Sequence, residues 1–322
     1  MFARNMIVTL VLLAATIVEA QPQVHRIGVL VPELGRAQSQ ASKGLSDELK
    51  RLGYQERKNL RFETRDAKGD RGALLAMAKD LVGQKVEAIF TTGTRATQAA
   101  MSATRDIPIV FIHPGDPIAS GLLTSSGGAA NNITGVAAFA ARMTETRLKL
   151  FKEIIPTLEK IHVFFDSNNS YARENFALVE SAAAKFAVKV IGHGVKSVEE
   201  LKATVNGLRS ENGAGIFHIP DDLVESEATL IFDVARQNKL PTMFNEEAWA
   251  ISGALAAYGP NYLEMGRQAG RLVDQIVKGQ KPASLPIERA ATFALTLNYR
   301  TANVIGLRLS QEMLKKADKV IR

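Results

Sequence analysis

"IFTTGTRATQAA", residues 89–100, opens as an apolar, β-branched run, breaks at Thr92-Gly93-Thr94 and continues in small residues that suit a helix. A strand that hands over to a helix through a glycine is the repeating unit of an α/β fold. The junction gathers free backbone N–H groups and the positive end of the helix dipole, which together favour a carboxylate or phosphate. Two hydroxyls flank the glycine and no base stands beside them, so the segment reads as a binding device.

The same rhythm runs outward in both directions. Short apolar runs at 26–31, 60–64, 88–92 and 109–112 alternate with helical patterns at 42–52 and 74–82. Strand, helix, strand at that spacing predicts a parallel sheet, with strands apolar on both faces because helices cover both. A second series follows, with strands at 161–165, 188–191, 215–219, 242–244 and 254–258 and helices at 171–186, 198–208 and 225–238. The fold class is therefore α/β: two doubly wound, Rossmann-like lobes with parallel sheets. The chain crosses between them after the strand at 133–138, again near Gly259-Pro260 and again near 283–289, a three-crossing hinge. Lobe 1 is expected over 24–138 plus about 260–284, and lobe 2 over 139–259 plus about 285–322.

Composition bounds the class. The chain has 322 residues, 46% hydrophobic and 23% charged, enough for two cores. Arg4 precedes an apolar run over 6–18, and Val18-Glu19-Ala20 supplies the small residues of a signal-peptidase site, so residues 1–20 read as a signal peptide and Gln21 as the mature start. The run is too short to cross a hydrocarbon core of about 30 Å as a stable helix. The chain contains no cysteine, which removes disulfides, thiolate metal sites and the lipidated cysteine of a lipoprotein. A free periplasmic protein fits. The net charge of +7 does not point to nucleic acid, because the basic residues over 50–71 are interleaved with Glu56, Glu63, Asp66 and Asp70.

Parallel strands bring every residue that follows a strand to one edge, where open α/β sheets bind ligands. In the first lobe that places Glu33, then Thr92, Gly93 and Thr94, then Asp116 of "HPGDP" at the rim. The second lobe supplies Asn169 and Ser170 of "DSNNSY", Asp221 of "IPDD", Glu246 of "NEE", and Tyr258 with Asn261 of "YGPN". Thr94 and Ser170 also stand where helix N-caps stand, and Asp116, Asp221 and Asp222 are common turn and helix caps. No Gly-x-Ser-x-Gly elbow, paired metal-spaced histidines or Gly-x-Gly-x-x-Gly accompanies the rim, so no catalytic residue, metal or cofactor is assigned.

At this point the ordered set "RIGVLVPE", "IFTTGTRATQAA", "DIPIVFIHPGDPIASGL", "NNITGV", "NEEAWAISGALAAYGPNYLEMGRQAGRLVDQIVKGQKP" and "LTLNYRTANVIGLRL" resembles the ABC transporter substrate-binding proteins that include bacterial tryptophan-binding proteins. The resemblance runs from about His25 to the C-terminus. It implies the type I periplasmic-binding fold, a ligand trapped as the cleft closes, and partners in an inner-membrane permease and its cytoplasmic ATPase. It carries ligand contact onto Thr92, Gly93, Thr94, Asp116 and Asp221. Relatives that bind amino acids commonly carry Thr-Asp-Asn where this chain has Pro220-Asp221-Asp222. The expected role is capture by a monomer of a small carboxylate-bearing solute, an amino acid or an aromatic or organic acid. A zwitterion would set its carboxylate on residues 92–94 and its ammonium near Asp116 and Asp221. A periplasmic sensor subunit for a signalling receptor would use the same cleft, and an exported α/β hydrolase lacks a nucleophile–base pair.

The leader reading predicts that the exported protein has the mass of residues 21–322. An intact mass that retains residues 1–20 would contradict it.

Overall fold

The computed structural model describes residues 24–33, 35–70, 72–113, 115–118, 121–123, 132–139 and 143–322. The leader expected at 1–20 and part of the first crossing lie outside these residues.

The apolar runs become strands β1 (His25–Val31), β2 (Leu60–Asp66), β3 (Ala88–Thr92), β4 (Ile109–His113) and β5 (Ile133–Ala137), alternating with helices α1 (Arg36–Arg51), α2 (Ala73–Gly83) and α3 (Gly93–Ala103). All five strands pair in parallel. Strands β3, β4 and β5 are buried along their whole length, as a sheet covered on both faces requires. The second unit runs α4 (Thr144–Ile154), β6 (Lys160–Asp166), α5 (Ser170–Ala184), β7 (Lys189–Val195), α6 (Val198–Asn206), β8 (Ala214–Phe217), α7 (Asp222–Glu225), α8 (Ala228–Gln237), β9 (Thr242–Phe244), α9 (Glu247–Ser252) and β10 (Ala256–Pro260). The chain then returns through α10 (Tyr262–Val277) and β11 (Glu288–Arg289), and closes with β12 (Phe293–Asn298), α11 (Tyr299–Val304), α12 (Gln311–Lys316) and β13 (Lys319–Ile321).

Two sheets result, one in the order β11-β5-β4-β3-β1-β2 and one in the order β13-β12-β10-β9-β8-β6-β7. Each has an apolar core on both faces: in the first, Leu45, Leu49, Met265 and Leu272 on one side and Leu74, Leu81 and Ala96 on the other. Two features depart from the sequence reading. The second sheet gains β12 and β13 beyond the five expected strands, and β12 runs antiparallel to β10 because the chain re-enters along that edge. Glu288 and Arg289, expected with the second lobe, pair in parallel with Val136 and Ala137 of the first. A two-residue strand is too short to show a pattern.

Helix α10 belongs to the first sheet's core although most of the second lobe, α4 to β10, precedes it in sequence. It lies backbone to backbone on α1: a Cβ on Gly266 would sit 2.0 Å from the Ala41 carbonyl oxygen, and one on Gly44 would sit 2.0 Å from that of Leu263. The hinge is tied at the start of α10, where the Tyr262 hydroxyl donates to Glu246 Oε1 at 2.8 Å.

Alanine in place of glycine inside a helix ordinarily stabilises by about 1 kcal/mol. At Gly266 the contact reverses the sign, because overpacking against a backbone carbonyl costs about 1–3 kcal/mol or more. Gly266→Ala should lower the urea midpoint, and a raised midpoint would show that the two helices can separate without loss.

Candidate functional site

The C-terminal ends of β1, β3, β4, β6, β8, β9 and β10 face one cleft of about 1200 Å³ between the lobes. Its first-lobe wall is the junction read from the sequence. Gly93 adopts φ of 75°, a left-handed turn that glycine takes without strain, and this lets β3 pass straight into α3. Thr92 is the N-cap of α3 but makes no side-chain capping bond, and no acid lies in the helix's first turn. Thr92 Oγ1 is buried with no hydrogen-bond partner among the described residues. Thr94 therefore stands inside the first turn and is not the cap. Its Oγ1 lies 2.8 Å from Nε2 of His113, at the end of the neighbouring β4.

Among the sequence-derived candidates, Glu33, Thr92, Gly93, Thr94, Asn169, Ser170, Asp221, Glu246 and Tyr258 line the cleft. Asp116 and Asn261 are not among the described residues of its wall. Asp116 accepts the Ile118 N–H at 2.8 Å in a local turn. Asn261 caps α10 by accepting the Glu264 N–H at 3.2 Å. Asn169, not Ser170, is the N-cap of α5, with Oδ1 accepting from the N–H groups of Tyr171 and Ala172. Asp221 is buried in the wall, yet its oxygens are taken by three backbone amides: Asp166 N–H at 2.9 Å, Leu223 N–H at 2.9 Å and Val224 N–H at 3.2 Å. Its place at the strand end follows the sequence reading, but its carboxylate holds the loop that starts α7. Burial raises its pKa against the lowering pull of those amides.

The sequence reading missed Arg147. It rises from the first turns of α4, is 3% exposed and lines the cleft. Nη2 donates to the His218 carbonyl at 2.9 Å and the guanidinium lies 4.6 Å from the Phe217 ring centroid, whereas Nε and Nη1 are buried without partners. Among the described residues no carboxylate pairs with it. Burial pushes the guanidinium down to about 9, which still leaves it charged at neutral pH. The sequence carried a signal: Thr144, Arg147, Leu148 and Phe151 stand at i, i+3, i+4 and i+7, so the arginine lies on the helix's buried stripe.

Its neighbour His218 is buried, with Nδ1 3.0 Å from Asn245 Oδ1 and Nε2 without a hydrogen bond among the described residues, 3.8 Å from Glu225 Oε1. Burial, and then the Arg147 charge, push this imidazole down to about 3. The unpartnered groups of the cleft are thus a cation's N–H bonds on the second lobe and threonine hydroxyls with helix N–H groups on the first. Donors of this kind are chemically suited to an anion.

Two parallel α/β lobes around such a cleft define the periplasmic-binding class of ligand-capturing proteins. Within it, the chain belongs to the ABC transporter substrate-binding protein family, whose model matches residues 26–321. It is 26% identical over 277 residues to the tyrosine-binding protein of Clostridioides difficile, covering 85% of this chain and 79% of the relative. A conserved domain protein of Vibrio cholerae has a similar structure, with a TM-score of 0.78 at 26% identity over 92% of this chain and 100% of that one. An ABC domain of Streptococcus pneumoniae in complex with L-Trp also has a TM-score of 0.78, at 24% identity over 93% of this chain and 100% of that one.

A histidine whose folded pKa is depressed takes up a proton on unfolding between the two values, so its stability contribution falls as pH drops through that window. For His218 the window runs from 6.5 down to about 3. His193, pushed down to about 4 by burial and by His162, adds to the same slope. The melting temperature of the ligand-free protein should fall from pH 6.5 to pH 5, and less steeply in His218→Gln. Equal slopes in the two proteins would show that His218 is not buried neutral.

Proposed function

We propose that this chain is the periplasmic solute-binding component of an ABC importer, and that it captures a small carboxylate-bearing solute, an amino acid or an aromatic or organic acid. The observation that carries the reading is the buried, unpaired guanidinium of Arg147 in the cleft wall. A charge buried without a partner costs on the order of several kcal/mol, a cost a fold retains when a ligand supplies the missing anion. The tyrosine-binding relative and the neighbour holding L-Trp support an amino acid in particular.

In this proposal the solute's carboxylate meets Arg147 from the second lobe and the Thr92 to Thr94 turn from the first. Asn169, Ser170, Tyr258 and Glu246 line the second-lobe side around it. An ammonium falls to acids of the rim whose oxygens are less occupied than those of Asp221, and Glu33 and Asp166 line the cleft. Each lobe alone satisfies part of the solute, so closure is favoured by the ligand's differential affinity for the closed form. The closed monomer then docks on an inner-membrane permease with its ATPase.

Thermal-shift screening of the stripped mature protein against amino acids, aromatic acids, small dicarboxylates and sugars tests the class, since a ligand at 100 times its Kd adds about 2.7 kcal/mol. A neutral sugar as the strongest hit would overturn the proposal. Arg147→Met should leave the ligand-free melting temperature unchanged or raised, because it removes an unpaired buried charge. The same variant should bind L-tyrosine and L-tryptophan at least tenfold more weakly, as the loss of a charge-assisted bond of about 1.5–3 kcal/mol implies. Unchanged affinity, measured by calorimetry, would remove Arg147 from the site.

A further inference from the structure

Thr94 offers a hydroxyl to the cleft, and His113 determines how that hydroxyl can bond. His113 ends β4, and the pairing of Thr92 with Ile112 sets it beside the β3–α3 turn. Its Nδ1 receives the Gly115 N–H at 3.0 Å. A backbone amide only donates, so Nδ1 must carry a lone pair, and in the neutral ring the proton then resides on Nε2. Nε2 is the atom 2.8 Å from Thr94 Oγ1. The threonine oxygen therefore accepts from His113, and its own proton has no acceptor among the described residues.

The surroundings hold this arrangement in place. His113 is 5% exposed, and burial lowers its pKa, which keeps the ring neutral. Gly115 is wedged where it stands: a Cβ there would lie 2.9 Å from the Tyr171 hydroxyl and 3.3 Å from His113 Cε1. Gly115 itself thus sits between the imidazole and a tyrosine of the second lobe.

We propose that His113 is a positioning residue that occupies one lone pair of the Thr94 hydroxyl and so leaves its proton free to donate into the cleft, and that Thr94 favours solutes presenting an acceptor to the first lobe. The selective role rests on the solute-capture reading; this lock on the hydroxyl does not. A carboxylate oxygen satisfies the Thr94 proton. An ammonium or amide N–H set there can use only the hydroxyl's second lone pair and leaves the Thr94 proton without an acceptor, a less favourable match.

The tautomer is read directly from the ligand-free, full mature protein. Long-range proton–nitrogen correlation at neutral pH distinguishes protonated from unprotonated ring nitrogens, and His113→Gln identifies the resonances by their loss. The expected result is an unprotonated Nδ1 with the proton on Nε2. Binding of L-tyrosine and L-tryptophan is then measured for wild type, Thr94→Ser and Thr94→Val. Serine should keep wild-type affinity within about threefold, and valine should lose about tenfold or more, the loss of one buried hydrogen bond. A proton on Nδ1 overturns the lock. An Nε2 proton with undiminished binding in Thr94→Val overturns the selective role. Failure of the wild type to bind either amino acid overturns the selective role for these solutes together with the amino-acid reading, while the tautomer still decides the lock.

Discussion

Arg147 carries a positive charge into the wall between the lobes, where a single backbone carbonyl accepts from it and two of its nitrogens are left without partners. Water would solvate such a group at no cost, and an interior charges several kcal/mol for the same placement. The rest of the cleft is arranged around that imbalance. Phe217 covers one face of the guanidinium, and the charge helps to hold His218 neutral. On the facing lobe the α3 N-terminus has no side-chain cap and no acid in its first turn. In the proposed function, the stability withheld by these unsatisfied donors becomes affinity for a carboxylate.

The scaffold makes this placement possible. Parallel pairing brings the C-terminal ends of the strands in each sheet to one edge, and the chain crosses between sheets so that the two edges face each other. The glycine contacts between α1 and α10 fasten the returning helix to the first lobe, while the Tyr262–Glu246 bond ties it to the second. Burial raises the Glu246 pKa even against that bond, which marks the hinge as a poorly solvated place for a carboxylate.

Much of this was legible in the sequence for physical reasons. The "IFTTGT" run shows strand, turn and helix because three periodicities change within six residues, and strand ends fall on a shared rim whenever the sheet is parallel. Nine of the eleven rim residues named from that rule do line the cleft. Asp116 and Asn261, not among the described residues of the wall, are claimed by a turn and a cap reaching two and three residues ahead, which the rim rule does not resolve. Asp221 shows the same competition from inside the wall. Arg147 stayed hidden because an arginine in a helix usually reads as solvent-facing, and only its place on the apolar stripe of α4 sets it apart. β11 was too short to leave a pattern, and it is found only through its partner β5.

The central claim is that the Arg147 guanidinium is answered by a ligand carboxylate. A double-mutant cycle measures that coupling: calorimetric affinities of L-tyrosine and its carboxamide, for wild type and for Arg147→Met. The account predicts that wild type prefers the carboxylate by about tenfold or more, as a charge-assisted bond implies, and that Arg147→Met loses the preference. Equal discrimination by both proteins would contradict it, because the carboxylate would then be bound elsewhere in the cleft.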